Sequence, residues 1–518
     1  MQFKMENKQL PHIGKNVIET LTLGMYDNPL FIYREYIQNS ADQIDVGVEE
    51  GILKKRSDGK INISIDISIK EIVIEDNATG INKNRAINFL SDVANSEKEL
   101  NKRKGFRGIG RLGGLGYCDK LIFETSSKGE SVKTTFILDA KILREIINDV
   151  KDKRDAASVI SAITKISNTE EREEKHYFKV TLQNVPESDL LDEIKVRKYL
   201  STVAPVPFSN DFLYCDTIKN YYLKKGVVFD EYNVFINEQK VYKAYKNRLI
   251  FTKRDKKEGI VNSISFFDVK DENSSLLAIG WYGINTKLNH QIDKVNIERG
   301  IRIRKHNITI GDETTLFKRF GDSPRTNLRY IGEIHILGKN FIPNARRDYF
   351  NLNNSVEQFE KSLDKIFSDF ESKLPHIASN LHNRLDTVLK CKQAIKSYKE
   401  EKPHFKTSEE QEQRFNEVIK LINSAGLAIK MIEKIKEEGN NNTIAQNLFD
   451  SIISENEYYI SNDEIDGLYE EIVYPPLEFS KVSPEVEKIL NEVVVLLQKE
   501  LGYSAASPLL KKLQKRYN

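Results

Sequence analysis

The stretch Leu30-Phe-Ile-Tyr-Arg-Glu-Tyr-Ile-Gln-Asn-Ser-Ala-Asp-Gln-Ile44 limits the fold of this chain more than any other. Its apolar residues recur at helical spacing and Pro29 suits a first turn, so one amphipathic helix is predicted. Glu35, Asn39 and Asp42 stand at i, i+4 and i+7 and share one face of that helix. A carboxylate and a carboxamide one turn apart can hold a water and a divalent ion beside a phosphate, provided that phosphate-cradling loops come from elsewhere in the chain.

Downstream, Ile61, Ile63, Ile65, Ile67 and Ile69 alternate with polar residues and lead into Ile72-Val-Ile74, the pattern of a hairpin with one buried face. It ends in Glu75-Asp-Asn-Ala-Thr-Gly80. Residues 82–92 return to helical spacing, and the lysine-rich stretch 93–104 lacks any period. Then comes Gly105-Phe-Arg-Gly-Ile-Gly-Arg-Leu-Gly-Gly-Leu-Gly116, followed by strand patterns at Lys120–Thr125, Thr134–Leu138 and Tyr177–Leu182.

From about residue 190, a short helix precedes strands with hairpin signals at Val234–Val241, Ile260–Asp268, Leu276–Ile284, Ile301–Ile308 and Leu328–Ile336. Past 353 the pattern is helical, broken near Pro403 and at the Asn-rich joint 439–443. The expected class is α+β in three parts. These are an N-terminal α/β sandwich over 1–187 with a mixed sheet covered by helices, a second α+β domain over 188–353, and an all-helical region over 354–518. A length of 518 residues is too great for one core.

Basic and acidic residues nearly cancel, 79 against 77, so no global field argues for a nucleic-acid or membrane partner. Cys118, Cys215 and Cys391 are too few and too scattered for a disulfide framework or a clustered zinc site. With no apolar run long enough to span a bilayer, a cytoplasmic location is expected.

Singly, these features have ordinary readings: a strand-end Asp forms turns, a Gly cluster forms turns or linkers, and a helical Asn is usually exposed. In this order and spacing they resemble the GHKL (Bergerat-fold) ATPase superfamily, which includes DNA gyrase, the ninety-kilodalton heat-shock chaperone, histidine kinases, MutL and MORC proteins. Phe31–Asp42 is similar to the chaperone's first motif. Gly105-Phe-Arg-Gly108 and the preceding Ala94-Asn-Ser-Glu-Lys98 are similar to the lid of MutL. The resemblance implies a Bergerat-type sandwich, a transducer-like second domain, and ATP with Mg²⁺ as the bound pair.

By the same resemblance, Glu35 matches the general base that deprotonates the attacking water, and Asn39 the Mg²⁺ ligand. Asp42 matches an acidic position of the first motif. Asp76 matches the adenine reader and Gly80 the residue that lets the backbone approach the base; Ala78 stands where the family usually has Gly. Gly105, Gly108, Ile109 and Gly110 match the lid around the phosphates, with Ser96, Lys98, Lys104 and Arg107 adding polar and positive groups. Thr181 resembles the threonine of the last motif. In Phe341-Ile-Pro-Asn-Ala-Arg-Arg-Asp348, Arg347 matches an arginine that reaches the γ-phosphate, with Arg346 as the alternative.

The resemblance further implies a homodimer that closes when ATP binds. Three uses of such a cycle stay open: a clamp acting on DNA or in a repair or anti-phage defence complex, a protein-remodelling chaperone, or a sensor that binds ATP without splitting it. Within the local basic group Arg299, Arg302, Arg304 and Lys305, Arg302 and Arg304 alternate along one strand and with the later arginines are the candidate stripe for a nucleic-acid backbone, and the C-terminal helices the candidate dock for a partner protein.

Overall fold

The structure, a computed structural model, describes residues 13–22, 28–91, 110–186, 188–252, 257–285, 290–321, 323–370, 374–405, 408–439, 443–454, 458–466, 468, 477–501 and 503–518. The chain divides into two compact units, Met1–Glu371 and Ser372–Asn518.

The first unit opens with α1 (Asn16–Thr22) and α2 (Phe31–Glu49), the helix expected from the Leu30 stretch. Asn28 starts α2: its Oδ1 accepts from Leu30 N at 2.9 Å and its carbonyl from Phe31 N at 3.1 Å. There follow β1 (Lys60–Asp66), β2 (Glu71–Asp76), α3 (Lys83–Ser91), β3 (Lys120–Ser126), β4 (Val132–Asp139), α4 (Ala140–Asn148), α5 (Ala156–Ile163), β5 (Thr164–Glu170) and β6 (Tyr177–Gln183). Next are α6 (Ser188–Leu191), α7 (Glu193–Val203), α8 (Cys215–Lys224), β7 (Asn233–Ile236) and β8 (Gln239–Lys240).

Among the described residues these strands form one eight-stranded sheet in the order β5-β4-β3-β6-β2-β1-β7-β8. It is antiparallel except for the parallel β1–β7 pair, and so mixed, as expected. Ile61, Ile63, Ile72, Ile74, Leu121, Phe123 and Leu182 point into one core with Ile32, Tyr33, Tyr36, Ile37 and Ile44 of α2. Burial of each such side chain is worth about 1.5–3 kcal/mol. The opposite face carries Glu124 between Lys133 Nζ at 3.0 Å and Lys179 Nζ at 2.8 Å.

The hairpin turns earlier than its alternation suggests. Residues 67–70 form the turn, Lys70 takes a positive φ of 53°, and Ile67 and Ile69 are exposed. Strand β5 carried no period because it is a polar edge strand with almost every residue exposed.

The second sheet of this unit comprises β9 (Arg248–Thr252), β10 (Lys257–Lys270), β11 (Leu276–Asn285), β12 (Gly300–Lys305), β13 (Ile308–Ile310) and β14 (Ile331–Ile336). Its order among the described residues is β13-β12-β14-β11-β10-β9, with β12 and β14 parallel. An aromatic core of Phe208, Phe212, Tyr222, Tyr245 and Trp281 packs against it. Helix α9 (Asn354–Ser368) also belongs to this unit. Asn353 Oδ1 caps it through Val356 N at 3.1 Å, and Phe367 stacks on Phe320 with centroids 4.4 Å apart.

Arg302 and Arg304 share one side of β12, as alternation requires, but that side faces inward. Arg304 pairs through Nε with Glu333 Oε1 and donates to the carbonyls of Thr202 and Asn307, both at 2.8 Å. Arg302 donates to the Ile297 carbonyl at 2.7 Å and lies 3.3 Å from Glu313. These two arginines therefore do not form the exposed stripe expected above; distant acids, invisible to local spacing, draw them inside. Tyr222 and Tyr245 are core residues, whereas Tyr242 is exposed.

The second unit is helical: α10 (Leu374–Glu401), α11 (Ser408–Gly439), α12 (Thr443–Ser454), α13 (Asn462–Ile465), α14 (Pro484–Leu501) and α15 (Tyr503–Tyr517). A turn through Pro403 separates α10 from α11, where the sequence placed the break. Val388, Cys391, Ile395, Tyr398, Val418 and Ala428 form one core here, and Phe479, Val494, Ala506 and Leu510 another. Among the described residues no helix is long and apolar enough to cross a membrane.

Glu333 is the keystone of the second sheet. It is fully buried and accepts from Lys243 Nζ at 2.7 Å and faces His335 Nε2 at 2.9 Å. Burial alone would push its carboxyl up, but the Arg304 and Lys243 cations outweigh it and hold it well below the usual range. Glu333→Gln would leave two buried cations without their anion, an expected loss of about 3–5 kcal/mol. Trp281, the sole tryptophan of the chain, lies in this core, so its fluorescence in a urea titration reads the loss directly. An unchanged midpoint would refute the role given to Glu333.

Candidate functional site

Helix α2 brings Glu35, Asn39 and Asp42 to the inner side of the first sheet. Glu35 is only 7% exposed, Asp42 is fully buried, and Asn39 is half-buried. Glu35 Oε1 lies 3.0 Å from Arg347 Nε and 3.4 Å from Arg34 Nη2. Two guanidiniums thus share one carboxylate in a largely dry setting. Gly110 closes over this side: a Cβ there would stand 2.5 Å from Glu35 Oε2, so a side chain at this position would displace the carboxylate. Tyr36 Oη fixes the following turn, donating to the Arg111 carbonyl at 3.0 Å and accepting from Gly114 N at 3.2 Å.

Arg347 comes from the loop between β14 and α9, folded back by the Pro343–Phe350 bridge. It takes a φ of 58°, in the left-handed region that a non-glycine residue rarely adopts, and its side chain is buried. Arg346 beside it is exposed. The two neighbours proposed from sequence are thus separated by their surroundings, and Arg347 is the one that reaches Glu35.

Asp76 ends β2 on the face shared with Ile72 and Ile74 and is almost fully buried. Its Oδ1 accepts from Ala78 N at 3.1 Å, and Ser40 of α2 hydrogen-bonds to it. Burial is the leading cause that pushes its carboxyl up to about 7, against the lowering effect of those bonds. Ala78 is buried too, and its carbonyl lies 2.6 Å from His176 Nδ1. Gly80 has a φ of 65°, and a Cβ there would stand 1.8 Å from the Ser126 carbonyl oxygen, so no side chain fits.

Thr181 is placed differently from the expectation. In the register Asp76 faces Phe178, and Val73 faces Thr181. Since side chains alternate along a strand, Thr181 lies on the face opposite Asp76. Phe178 and its own cross-strand partner Thr125 share the Asp76 face instead. Ser96, Lys98, Lys104, Gly105, Arg107, Gly108 and Ile109 lie outside the described residues.

Arg34, Ser40, Thr125 and Phe178 are neighbours that sequence reasoning missed. Ser40 follows Asn39 directly but sits on a different stripe of the helix, so the period that found Glu35, Asn39 and Asp42 passes over it. Cross-strand partners are set by register, which the local pattern does not carry.

A carboxylate at a strand end, glycines that let backbone come close and a polar-faced helix across from them define the class. Residues 34–174 match the family described as "Histidine kinase-, DNA gyrase B-, and HSP90-like ATPase", in line with the GHKL resemblance of the sequence. Within that class the chain is similar to the chaperone protein HtpG of several bacteria. It is 23% identical to that of Helicobacter pylori over 155 residues, covering 27% of this chain and 25% of the relative. For Buchnera aphidicola the identity is 31% over 148 residues, covering 26% and 22%. For Acinetobacter baylyi it is 27% over 144 residues, covering 24% and 21%. The chain thus spans about a quarter or less of the length of these curated relatives.

Asp76 gives the apo protein a pH signature. Its folded pKa is raised to about 7, so its contribution to stability is complete below about pH 4 and is lost as pH rises through 7. At about 1.4 kcal/mol per unit this amounts to at most about 4 kcal/mol. His335 works in the opposite sense: burial holds it down to about 4, so its contribution is lost as pH falls from about 6.5 through 4. Comparing wild type with Asp76→Asn isolates the first group. Thermal unfolding between pH 4 and 8 should show wild type gaining on the variant toward low pH, and a constant difference would disprove the assignment.

Proposed function

We propose that this chain binds ATP with Mg²⁺ and hydrolyses it, and that the cycle drives a chaperone-like conformational switch in a homodimer. The observation that carries the reading is the Glu35–Arg347 pair, with Gly110 pressed against the same carboxylate. It joins a general-base candidate on the first sheet's helix to an arginine from beyond the second sheet.

The donor set suits the proposed ligands. Among the described residues no group of three or more His, Cys, Asp or Glu side chains could hold a metal ion. Mg²⁺ asks for less, since it keeps several waters and takes phosphate oxygens with one or two protein ligands. The Asn39 amide oxygen is the proposed one, and Mg²⁺ there supplies charge neutralisation to the phosphates. Asp76 accepts a hydrogen bond from the adenine amine, Gly80 lets backbone approach the base, and Ala78 holds Asp76 in place. Asp42 supports the helix side of the pocket, and the stretch from Ser96 through Lys98, Lys104, Gly105, Arg107, Gly108 and Ile109 to Gly110 wraps the phosphates.

Glu35 takes the proton of the attacking water. Arg34 and Arg347 both lie on Oε1, so Oε2 is the oxygen offered to the water, and Arg347, once released from Glu35, meets negative charge on the phosphoryl group. Hydrolysis and the position of the second sheet are thereby linked through one side chain. Protein remodelling is preferred over action on DNA because the relatives are chaperones, and because the inward-facing Arg302 and Arg304 remove the motive for a nucleic-acid stripe.

Steady-state ATP turnover tests this. Glu35→Ala should lower it by about 10²-fold or more with nucleotide affinity little changed. Gly110→Ala should lower it at least about tenfold, because its Cβ displaces Glu35. Turnover that survives Glu35→Ala sinks the base assignment, and single-turnover assays showing tight binding without product favour a sensor.

A further inference from the structure

On the other side of α2 from Asn39 the first unit holds a cleft of about 510 Å³ that none of the residues assigned to the nucleotide lines, apart from Arg347. Arg34 and Asn39 point to different sides of the helix, so Glu35 lies between the proposed nucleotide side and this cleft. The volume is that of a small-molecule site.

Its charge is one-sided. Seven of the lining residues are Lys or Arg and three are Asp or Glu. One carboxylate, Glu313, serves both Arg299 at 3.6 Å and Arg302 at 3.3 Å. Asp312 is turned into its own loop, accepting from Thr314 N at 2.7 Å and from the Thr314 hydroxyl at 2.6 Å. Arg302 is 6% exposed, and its Nε is buried without a hydrogen-bond partner. Lys198, Lys294 and Arg346 stand exposed at the cleft.

We propose that this cleft binds a small phosphate-bearing anion other than the hydrolysed nucleotide, and that its occupancy controls how free Glu35 is. Arg34 and Arg347 both line the cleft and both hold Glu35. An anion there competes with Glu35 for the same guanidiniums and loosens the carboxylate. The binding half stands alone; the control half rests on Glu35 acting as the base. A concave site favours a small ligand over a duplex, which needs an extended basic surface.

Inorganic pyrophosphate, titrated calorimetrically into the full chain, is the test. Wild type should bind it, and Lys294→Ala with Arg346→Ala should weaken binding at least about tenfold, since two cationic donors at the cleft are lost. Both residues are exposed, so unchanged thermal unfolding should confirm that the double variant folds. Asn39→Ala should bind pyrophosphate within about twofold of wild type, because Asn39 lies on the other side of α2. Absence of binding, equal binding by the double variant, or loss in Asn39→Ala each overturns the proposal. Binding of a short single-stranded DNA through Lys294 and Arg346 in place of pyrophosphate also overturns it. Pyrophosphate that binds as expected while turnover ignores Glu35 leaves the site standing and removes only the control.

Discussion

The Glu35–Arg347 contact is the interaction on which the first unit turns. A carboxylate this dry is costly unless paired, and here two guanidiniums pair it. Arg347 reaches it only from a left-handed backbone conformation, a state that costs on the order of 1–3 kcal/mol and persists only where the surroundings enforce it. Gly311 N, donating to the Arg347 carbonyl at 2.8 Å, is one such restraint. Both guanidiniums lie on Oε1, so the orientation of the carboxylate and the place of the Arg347 loop are set together.

The second sheet makes the loop's position meaningful by being stiff. Glu333 gathers Lys243, His335 and Arg304 into one dry group, and Arg304 carries the connection outward to the Thr202 carbonyl at the end of α7. Thr309 donates to that same carbonyl at 2.6 Å. Helix α7 packs against α2, so polar contacts and packing lead from the buried acid back to the helix that bears Glu35. Buried hydrogen-bonded charge tolerates little displacement, so this group fixes the second sheet against α7.

Much of this was legible in the sequence wherever one face of an element is buried. Helix α2, the β1–β2 hairpin and the strands β3, β4 and β6 each carry their period because water lies on one side and core on the other. Strand β5 escaped because its exposed edge needs no apolar alternation, and the exposed Ile67 and Ile69 misled because two isoleucines continued the rhythm through a turn. Glu35, Asn39, Asp76 and Gly80 were legible only jointly, through order and spacing. Thr181 was misplaced because side-chain face depends on register, and Ser40 was missed because its partner Asp76 is remote in sequence.

Arg302 and Arg304 show why charge alone is a poor guide to partners. Alternation established that they share a side, but not whether that side meets water, and their acids Glu313 and Glu333 lie far enough along the chain to escape any window. Once inside, the two fare differently. Arg304 is surrounded by acceptors, whereas Arg302 shares Glu313 with Arg299 and keeps Nε unmet. Arg304 is tied to the buried acid of the second sheet, whereas Arg302 lines a cationic cleft together with Arg34 and Arg347, the two guanidiniums that hold Glu35.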